Sequence, residues 1–285
     1  MSDILAVAFD CYGTLVDFGD DSFARAYGTI CEEQGIPYDG QVFFDKWMEV
    51  WRRLAADGRT AGGNADAGIA VRAGSAVANS PGPLSEAEPS VPHPAHHTPS
   101  AGRNRALDGP IHDYRPYRDE WPEHFEICFE ELGLPGDAQG AHRRLVELIG
   151  GGQAFPETRR VVETISRHLP TALMSNADDD FLLPCLRRNA LVFPVVISSE
   201  SARAYKPHAA IFRELASQVG LPAENILYVG DSRLADVIGA KHAGMQSAWV
   251  NRNDVDGWKR PAEHEFDPDF EIGSLDGLLD VLGLR

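Results

Sequence analysis

The feature that most constrains this chain is the alternation, through residues 111–285, of short apolar runs with longer amphipathic segments. The runs at Thr171–Met174, Phe193–Ile197, Asn225–Val229 and Gln246–Val250 are too short for buried helices. Between them, Asp179–Arg188, Pro207–Val219 and Ala235–Ala243 carry helical patterns, with Pro207 near a helix start, where a missing N–H is tolerated. Upstream, Tyr117–Leu132, Ala138–Ile149 and Glu157–His168 also read as helices. One more run, Ile4–Phe9, opens the chain and is apolar throughout, the pattern of a strand covered on both faces. Helices alternating with such strands predict an α/β fold with a parallel sheet. In that architecture ligands bind beyond the carboxyl ends of the strands.

Between the first strand and this alternation the character of the chain changes twice. Asp21–Gln34 and Gln41–Ala56 read as helices, the second with Phe44, Trp47, Trp51 and Leu54 at spacings of three and four. Then Gly58–Pro110 has 31 Gly, Ala, Ser or Pro among its 53 residues and no aromatic residue. Such a segment cannot bury enough apolar surface to offset the entropy of ordering it, so it is expected to be a disordered or loosely packed insertion. His93, His96 and His97 within it are read as solvated, because proline breaks the spacing of a helical metal site. Deleting residues from about Gly62 to Arg105 is expected to leave folding and activity largely intact. Loss of cooperative unfolding in that deletion would count against the reading.

Charge narrows the partners. With 43 acidic against 26 basic residues the net charge is −17, and the average surface repels a phosphate backbone, so nucleic acid is not expected. No apolar stretch approaches the roughly 20 residues of a membrane helix, and the N-terminus lacks the basic start of a signal peptide. A soluble, cytoplasmic protein is expected. Cys11, Cys31, Cys128 and Cys185 are dispersed with no CxxC pair, which suits a reducing compartment rather than a disulfide framework or zinc site. The basic residues are 22 Arg and 4 Lys, so each lysine is worth locating.

The residues that follow the strands carry the chemistry. They are Asp10 to Thr14, Ser175 and Asn176, Lys206, and Asp231 with Asp236. Together they offer a nucleophile-type carboxylate, hydroxyl and amide donors, one cation and two further carboxylates. In this order they resemble the four motifs of the haloacid dehalogenase (HAD) superfamily. The first is Ala6-Val-Ala-Phe-Asp10-Cys-Tyr-Gly-Thr14 and the second Leu173-Met-Ser175-Asn176. The third is Tyr205-Lys206-Pro207 and the fourth Gly230-Asp231-Ser232-Arg233-Leu234-Ala235-Asp236. The resemblance implies a Rossmann-like parallel sheet core, residues 1–17 and 156–285. It also implies a helical cap domain inserted after the first strand, residues 18–155, with the insertion inside it.

The resemblance further implies that Asp10 attacks the substrate to form a covalent intermediate, with Thr14, Ser175 and Lys206 as the other catalytic residues. Tyr12, Ser175, Asn176 and Lys206 would bind a small anionic substrate. Mg²⁺ would be held by Asp10, the Tyr12 carbonyl and Asp231, with Asp236 near it. A hard divalent cation suits oxygen ligands and relieves the repulsion among the carboxylates.

One departure bears on the reaction. HAD phosphatases usually carry a second Asp two residues after the nucleophile; here that position is Tyr12, as in the 2-haloacid dehalogenase branch. That branch works without metal and needs a cap arginine, for which Arg25, Arg52 and Arg53 are candidates that read more readily as solvated helix residues. The fourth motif, by contrast, keeps the aspartates of a magnesium site. The preferred expectation is therefore a Mg-dependent phosphohydrolase. The alternatives are a metal-free 2-haloacid dehalogenase and a weakly active scaffold that binds a phosphorylated ligand. The aromatic set Trp47, Trp51, Tyr114, Tyr117, Trp121 and Phe125 reads as cap core in preference to a cleft lining, and a homodimer is left open.

Overall fold

The computed structural model describes residues 3–56, 107–109, 111, 114–252 and 266–285. Its centre is a sheet of six parallel strands in the order β3-β2-β1-β4-β5-β6. The strands are β1 (Ala6–Phe9), β2 (Thr171–Ser175), β3 (Val195–Ser198), β4 (Ile226–Gly230), β5 (Gln246–Val250) and β6 (Phe270–Ile272). β1 lies in the middle, with β2 on one side and β4 on the other, where the strand order reverses. A ligand crevice is expected at such a point. The apolar runs alternate across the sheet. Val7 and Phe9 join one core with Leu173, Leu227 and Val229. Ala6 and Ala8 join a second with Met174, Tyr228, Ile211 and Phe212. Burial on both faces is why these strands are apolar at every position rather than at every second one.

Among the described residues, four long helices follow β1 before the chain returns to the sheet: α1 (Asp20–Gln34), α2 (Gly40–Ala56), α3 (Tyr117–Leu132) and α4 (Ala138–Gly150). They bury their stripes against one another, with Tyr27, Phe43, Trp47 and Phe125 in mutual ring contact at 4.5–6.1 Å. The chain leaves and re-enters the sheet side by side. Val16 bridges Ala154, the Asp17 N–H donates to the Gln153 carbonyl (2.8 Å) and the Phe155 N–H to the Leu15 carbonyl (3.0 Å). The longer of the remaining helices, α5 (Thr158–Ser166), α6 (Asp179–Arg188), α7 (Ala209–Val219) and α8 (Asp276–Val281), accompany the sheet. Among the described residues no helix is long and apolar enough to cross a membrane.

Several expectations shift. The strand expected over 193–197 begins only at Val195, because Pro194 has no N–H for the ladder. The helix expected over 235–243 is a π-helical turn, Arg233–Ile238, followed by one α-helical turn, Gly239–His242. β6 and α8 were not anticipated, since a three-residue edge strand carrying Glu271 has no apolar run to detect. Most of the 58–110 insertion, with His93, His96 and His97, lies outside the described residues. Its end is not loose: Leu107 is buried, Asp108 meets His242 and Arg213, and the Gly109 carbonyl lies 2.7 Å from His208 Nε2. One apolar side chain and three polar contacts suffice to anchor a segment whose overall composition is that of a loop.

Candidate active site

The sheet topology delivers Asp10, Ser175 and Asp231 to one edge, because they end or follow the adjacent strands β1, β2 and β4. Lys206 reaches the same point from the turn before α7. Its ammonium is almost fully buried and engages three partners: Asp10 Oδ1 at 2.7 Å, Asp236 Oδ1 at 2.6 Å and the Tyr228 hydroxyl at 3.0 Å. Ser175 also donates to Asp10 Oδ1, at 3.1 Å. Thr14 donates to Asp231 Oδ1 at 2.9 Å. Thus Asp10, Ser175, Lys206 and Asp236 form one hydrogen-bonded group and Thr14 with Asp231 a second beside it, although the six residues span more than 220 positions of the chain.

Oxygen atoms of Asp10, Asp231 and Asp236 all lie within 4.8 Å of one another. Two local devices permit this. Gly13 has φ +84°, and a Cβ there would stand 2.3 Å from Asp231 Oδ2. A Cβ at Gly230 would stand 2.2 Å from Asp236 Cγ. Only glycine leaves room for both carboxylates. Asp236 itself is carried by the π-helical turn, a geometry frequent at functional sites. Its Oδ2 accepts the Ser232 N–H at 2.8 Å.

Three carboxylates against one ammonium leave the group net negative when all are ionised. Desolvation pushes the Asp231 carboxyl up to about 8, and the charges of Asp10 and Asp236 act in the same direction. Asp236 is raised by burial to about 6, against the pull of Lys206. Lys206 is penalised by burial, but Asp10 and Asp236 outweigh that and hold it well above its ordinary value. The donor set is all oxygen, the carboxylates are tightly gathered and their charge is under-compensated. These residues fit a small hard cation.

A stability prediction follows from Asp231. A carboxyl raised in the folded state binds its proton more tightly folded than unfolded, so stability is greatest below the ordinary value of 3.8 and declines as pH rises towards about 8. Without divalent cation, the melting temperature is expected to fall across that window. Mg²⁺ should raise it, and more at pH 8 than at pH 5.5, because protons compete with the metal for the carboxylates. Thermal melts with and without Mg²⁺ at the two pH values check this; an equal shift at both would contradict it.

Two predicted site residues use their side chains elsewhere. The Tyr12 hydroxyl donates to the Phe181 carbonyl at 3.3 Å, and its ring packs against Phe18 and Phe181. Asn176, expected on the substrate, clamps the Lys206 backbone instead. Its Oδ1 accepts the Lys206 N–H at 2.7 Å and its Nδ2 donates to the Lys206 carbonyl at 3.0 Å. An amide matches a peptide group in both donor and acceptor, so the side chain that follows Ser175 sets the position of the lysine. Arg25, Arg52 and Arg53 are exposed; Arg25 donates to Ser22 and Arg53 pairs with Glu131. The aromatic set divides. Trp47, Trp51 and Phe125 are buried in the helical bundle, whereas Tyr117 and Trp121 stack along the seam with Tyr205 and Phe181.

Sequence reading missed three supporting residues. Tyr228 receives one proton of Lys206 and passes its own to the Met174 carbonyl at 2.8 Å. Asp178, fully buried, accepts the Tyr117 and Arg118 N–H groups at 3.1 and 2.8 Å, capping the start of α3 from the loop that follows β2. Arg252 donates to the Thr14 carbonyl (2.9 Å) and to Glu157 (2.7 Å), tying the loop after β1 to the returning chain. Only a polar group inside an apolar strand, as at Tyr228, offered a signal.

Comparison with known proteins agrees with this geometry. The chain is 29% identical over 154 residues to haloacetate dehalogenase H-2 of Moraxella sp. (strain B), covering 51% of this chain and 64% of that protein. It is 31% identical over 169 residues to phosphoserine phosphatase of Thermus thermophilus, covering 53% and 60%. The chain thus spans less than two thirds of the length of either relative. In fold it is similar to the HAD-hydrolase YfnB of Bacillus subtilis, solved bound to magnesium, with a TM-score of 0.67 at 17% identity over 99% of both chains. The family model of haloacid dehalogenase-like hydrolases matches residues 4–244. With the four motifs gathered at one sheet edge, the chain belongs to the haloacid dehalogenase-like hydrolases.

Proposed function

We propose that this hydrolase is a magnesium-dependent phosphohydrolase acting on a small phosphate ester through a covalent intermediate on Asp10. The observation that carries the reading is the gathering of Asp10, Asp231 and Asp236 within 4.8 Å around a single ammonium. A metal-free reaction at carbon has no use for two extra carboxylates, which would repel an anionic substrate. A bound Mg²⁺, held by Asp10, the Tyr12 carbonyl and Asp231 with Asp236 beside them, would neutralise charge on the transferring group.

The side chains divide the remaining work. Ser175 and Lys206 hold Asp10 Oδ1, which orients Oδ2 as the attacking atom. Ser175 and Lys206 then stand close enough to share the charge of the transferring phosphoryl oxygens, the principal demand of phosphoryl transfer. Thr14 steadies Asp231. The helices of residues 18–155 serve as the cap, with Asp178 joining α3 to the loop that bears Ser175.

A second reading, 2-haloacid dehalogenase, draws on Tyr12 and on the haloacetate dehalogenase relative. Among the described residues no arginine from the three cap candidates supports it. The two separate in one experiment: a phosphate-ester panel and 2-chloropropionate, each with and without EDTA, for wild type and Asp231→Asn. Orthophosphate release that stops with chelator, returns with Mg²⁺ and drops at least ~100-fold in Asp231→Asn is expected. Halide release that persists in EDTA and survives Asp231→Asn would replace the phosphohydrolase reading with the dehalogenase one.

A further inference from the structure

We infer that the substrate, on the phosphohydrolase reading on which this rests, is a phosphate monoester of an acidic hydroxyl, of the aryl or enol class, whose oxygen departs as an anion without receiving a proton from the enzyme.

The warrant is a census of protic side chains around Asp10 among the described residues. Ser175 donates to Asp10 and Thr14 to Asp231. All three Lys206 protons are engaged, by Asp10, Asp236 and Tyr228. The Tyr228 hydroxyl donates to the Met174 carbonyl, and Asn176 to the Lys206 carbonyl. The Tyr12 hydroxyl is turned to the Phe181 carbonyl at 3.3 Å. Cys11 belongs to the apolar core. Asp231, as a carboxylate ligand of Mg²⁺ on the phosphohydrolase reading, would only accept. Each of the other donors already has an acceptor, and each acceptor is a group of the protein. A leaving oxygen would have to displace one of these bonds to obtain a proton.

The surroundings of the site favour the same class. From Tyr12, two residues after Asp10, an unbroken set of rings runs to Tyr205, one residue before Lys206. Tyr12 meets Phe181 at 6.0 Å, Phe181 stacks on Trp121 at 5.7 Å, Trp121 on Tyr117 at 4.6 Å, and Tyr117 meets Tyr205 at 5.0 Å. Phe181, Trp121, Tyr117 and Tyr205 are buried, and Tyr12 is the ring of this set left partly exposed beside Asp10; a planar, weakly polar leaving group matches that apolar edge better than a polyol does.

The step balances without a proton donor. Asp10 Oδ2 forms the new bond to phosphorus while the bond from phosphorus to the leaving oxygen breaks, and its electron pair stays on that oxygen as phenolate or enolate. Solvent protonates the product after it has left. Water then attacks the phosphorus of the aspartyl phosphate, orthophosphate is released and the Asp10 carboxylate returns.

The test is a series of phosphates measured in the first turnover with Mg²⁺ present: 2,4-dinitrophenyl, 4-nitrophenyl, phenyl and glycerol phosphate. A positioned general acid contributes about 10²–10⁴-fold, chiefly to poor leaving groups. Its absence predicts a rate that falls at least ~10²-fold from 4-nitrophenyl to phenyl phosphate, and further for glycerol phosphate. Tyr12→Asp, which offers a carboxyl at that position, should narrow the gap between glycerol and 4-nitrophenyl phosphate by ~10-fold or more. The wild-type series decides the matter even if that variant does not fold. Rates that hardly change along the series would overturn the inference while leaving the phosphohydrolase reading intact. No orthophosphate from any member, 2,4-dinitrophenyl phosphate included, would remove the phosphohydrolase reading itself.

Discussion

Asp10→Asn is expected to abolish turnover, with a loss on the order of 10³–10⁶-fold, as for other single nucleophile removals. A neutral amide cannot attack as a carboxylate does, and its oxygen is far less basic. Asn is nearly isosteric and still accepts from Ser175 and Lys206 through its carbonyl oxygen, so the site should keep its shape. The variant also removes one of three gathered negative charges while Lys206 keeps Asp236 as a partner. In the absence of divalent cation its melting temperature is therefore expected to equal or exceed that of wild type. Loss of activity together with preserved folding would separate a chemical role from a structural one. Wild-type-like turnover by Asp10→Asn would remove Asp10 as nucleophile in either enzyme reading.

Lys206→Met should have the largest effect on stability. The ammonium is the counter-ion of both Asp10 and Asp236, and all three groups are withdrawn from water. Removing one partner from a buried ionic cluster costs about 3–5 kcal/mol, because the remaining charges are left uncompensated. For a chain of this size that corresponds to a fall in melting temperature of roughly 10 °C or more. The sign with pH follows from the carboxyls. Asp236 and Asp231, raised to about 6 and about 8, regain protons as pH falls, so the deficit of the variant should shrink at pH 5 and grow at pH 8. Mg²⁺ should also reduce it. A melting temperature for Lys206→Met equal to that of wild type at pH 8 without divalent cation would show that the lysine is not the main counter-ion. Activity should fall steeply in this variant under every condition, since the ammonium also serves the transferring group.

The linear chain by itself determined the local parts of this protein. An apolar run too short for a helix can only be a covered strand, and the residue that follows it can only lie at a strand end. Asp10, Ser175 and Asp231 are therefore legible in the sequence as residues at the ends of strands. Lys206 stood out because lysine is rare in this chain, with 4 against 22 arginines. The Gly13 and Gly230 positions, each directly beside a motif residue, have the same local character, although the clashes that require glycine are visible only in three dimensions.

What only the tertiary structure decided is which group each side chain serves. Hydrogen bonds are directional and short, so partners separated by 217 residues, as Thr14 and Asp231 are, cannot be assigned from spacing. Asn176 has the composition of a substrate ligand and the geometry of a backbone clamp. Tyr228 looks like one more strand residue, and its hydroxyl completes the coordination of Lys206. Asp178, in the loop after β2, caps a helix that begins 61 residues earlier, a relation set by how the helices pack on the sheet and by no local pattern. The end of the glycine- and alanine-rich segment is held by Leu107 and Asp108 because surfaces distant in the chain happen to receive them. Periodicity reports which side of an element is buried; only the folded chain fixes the distances and angles that turn buried polar groups into a site.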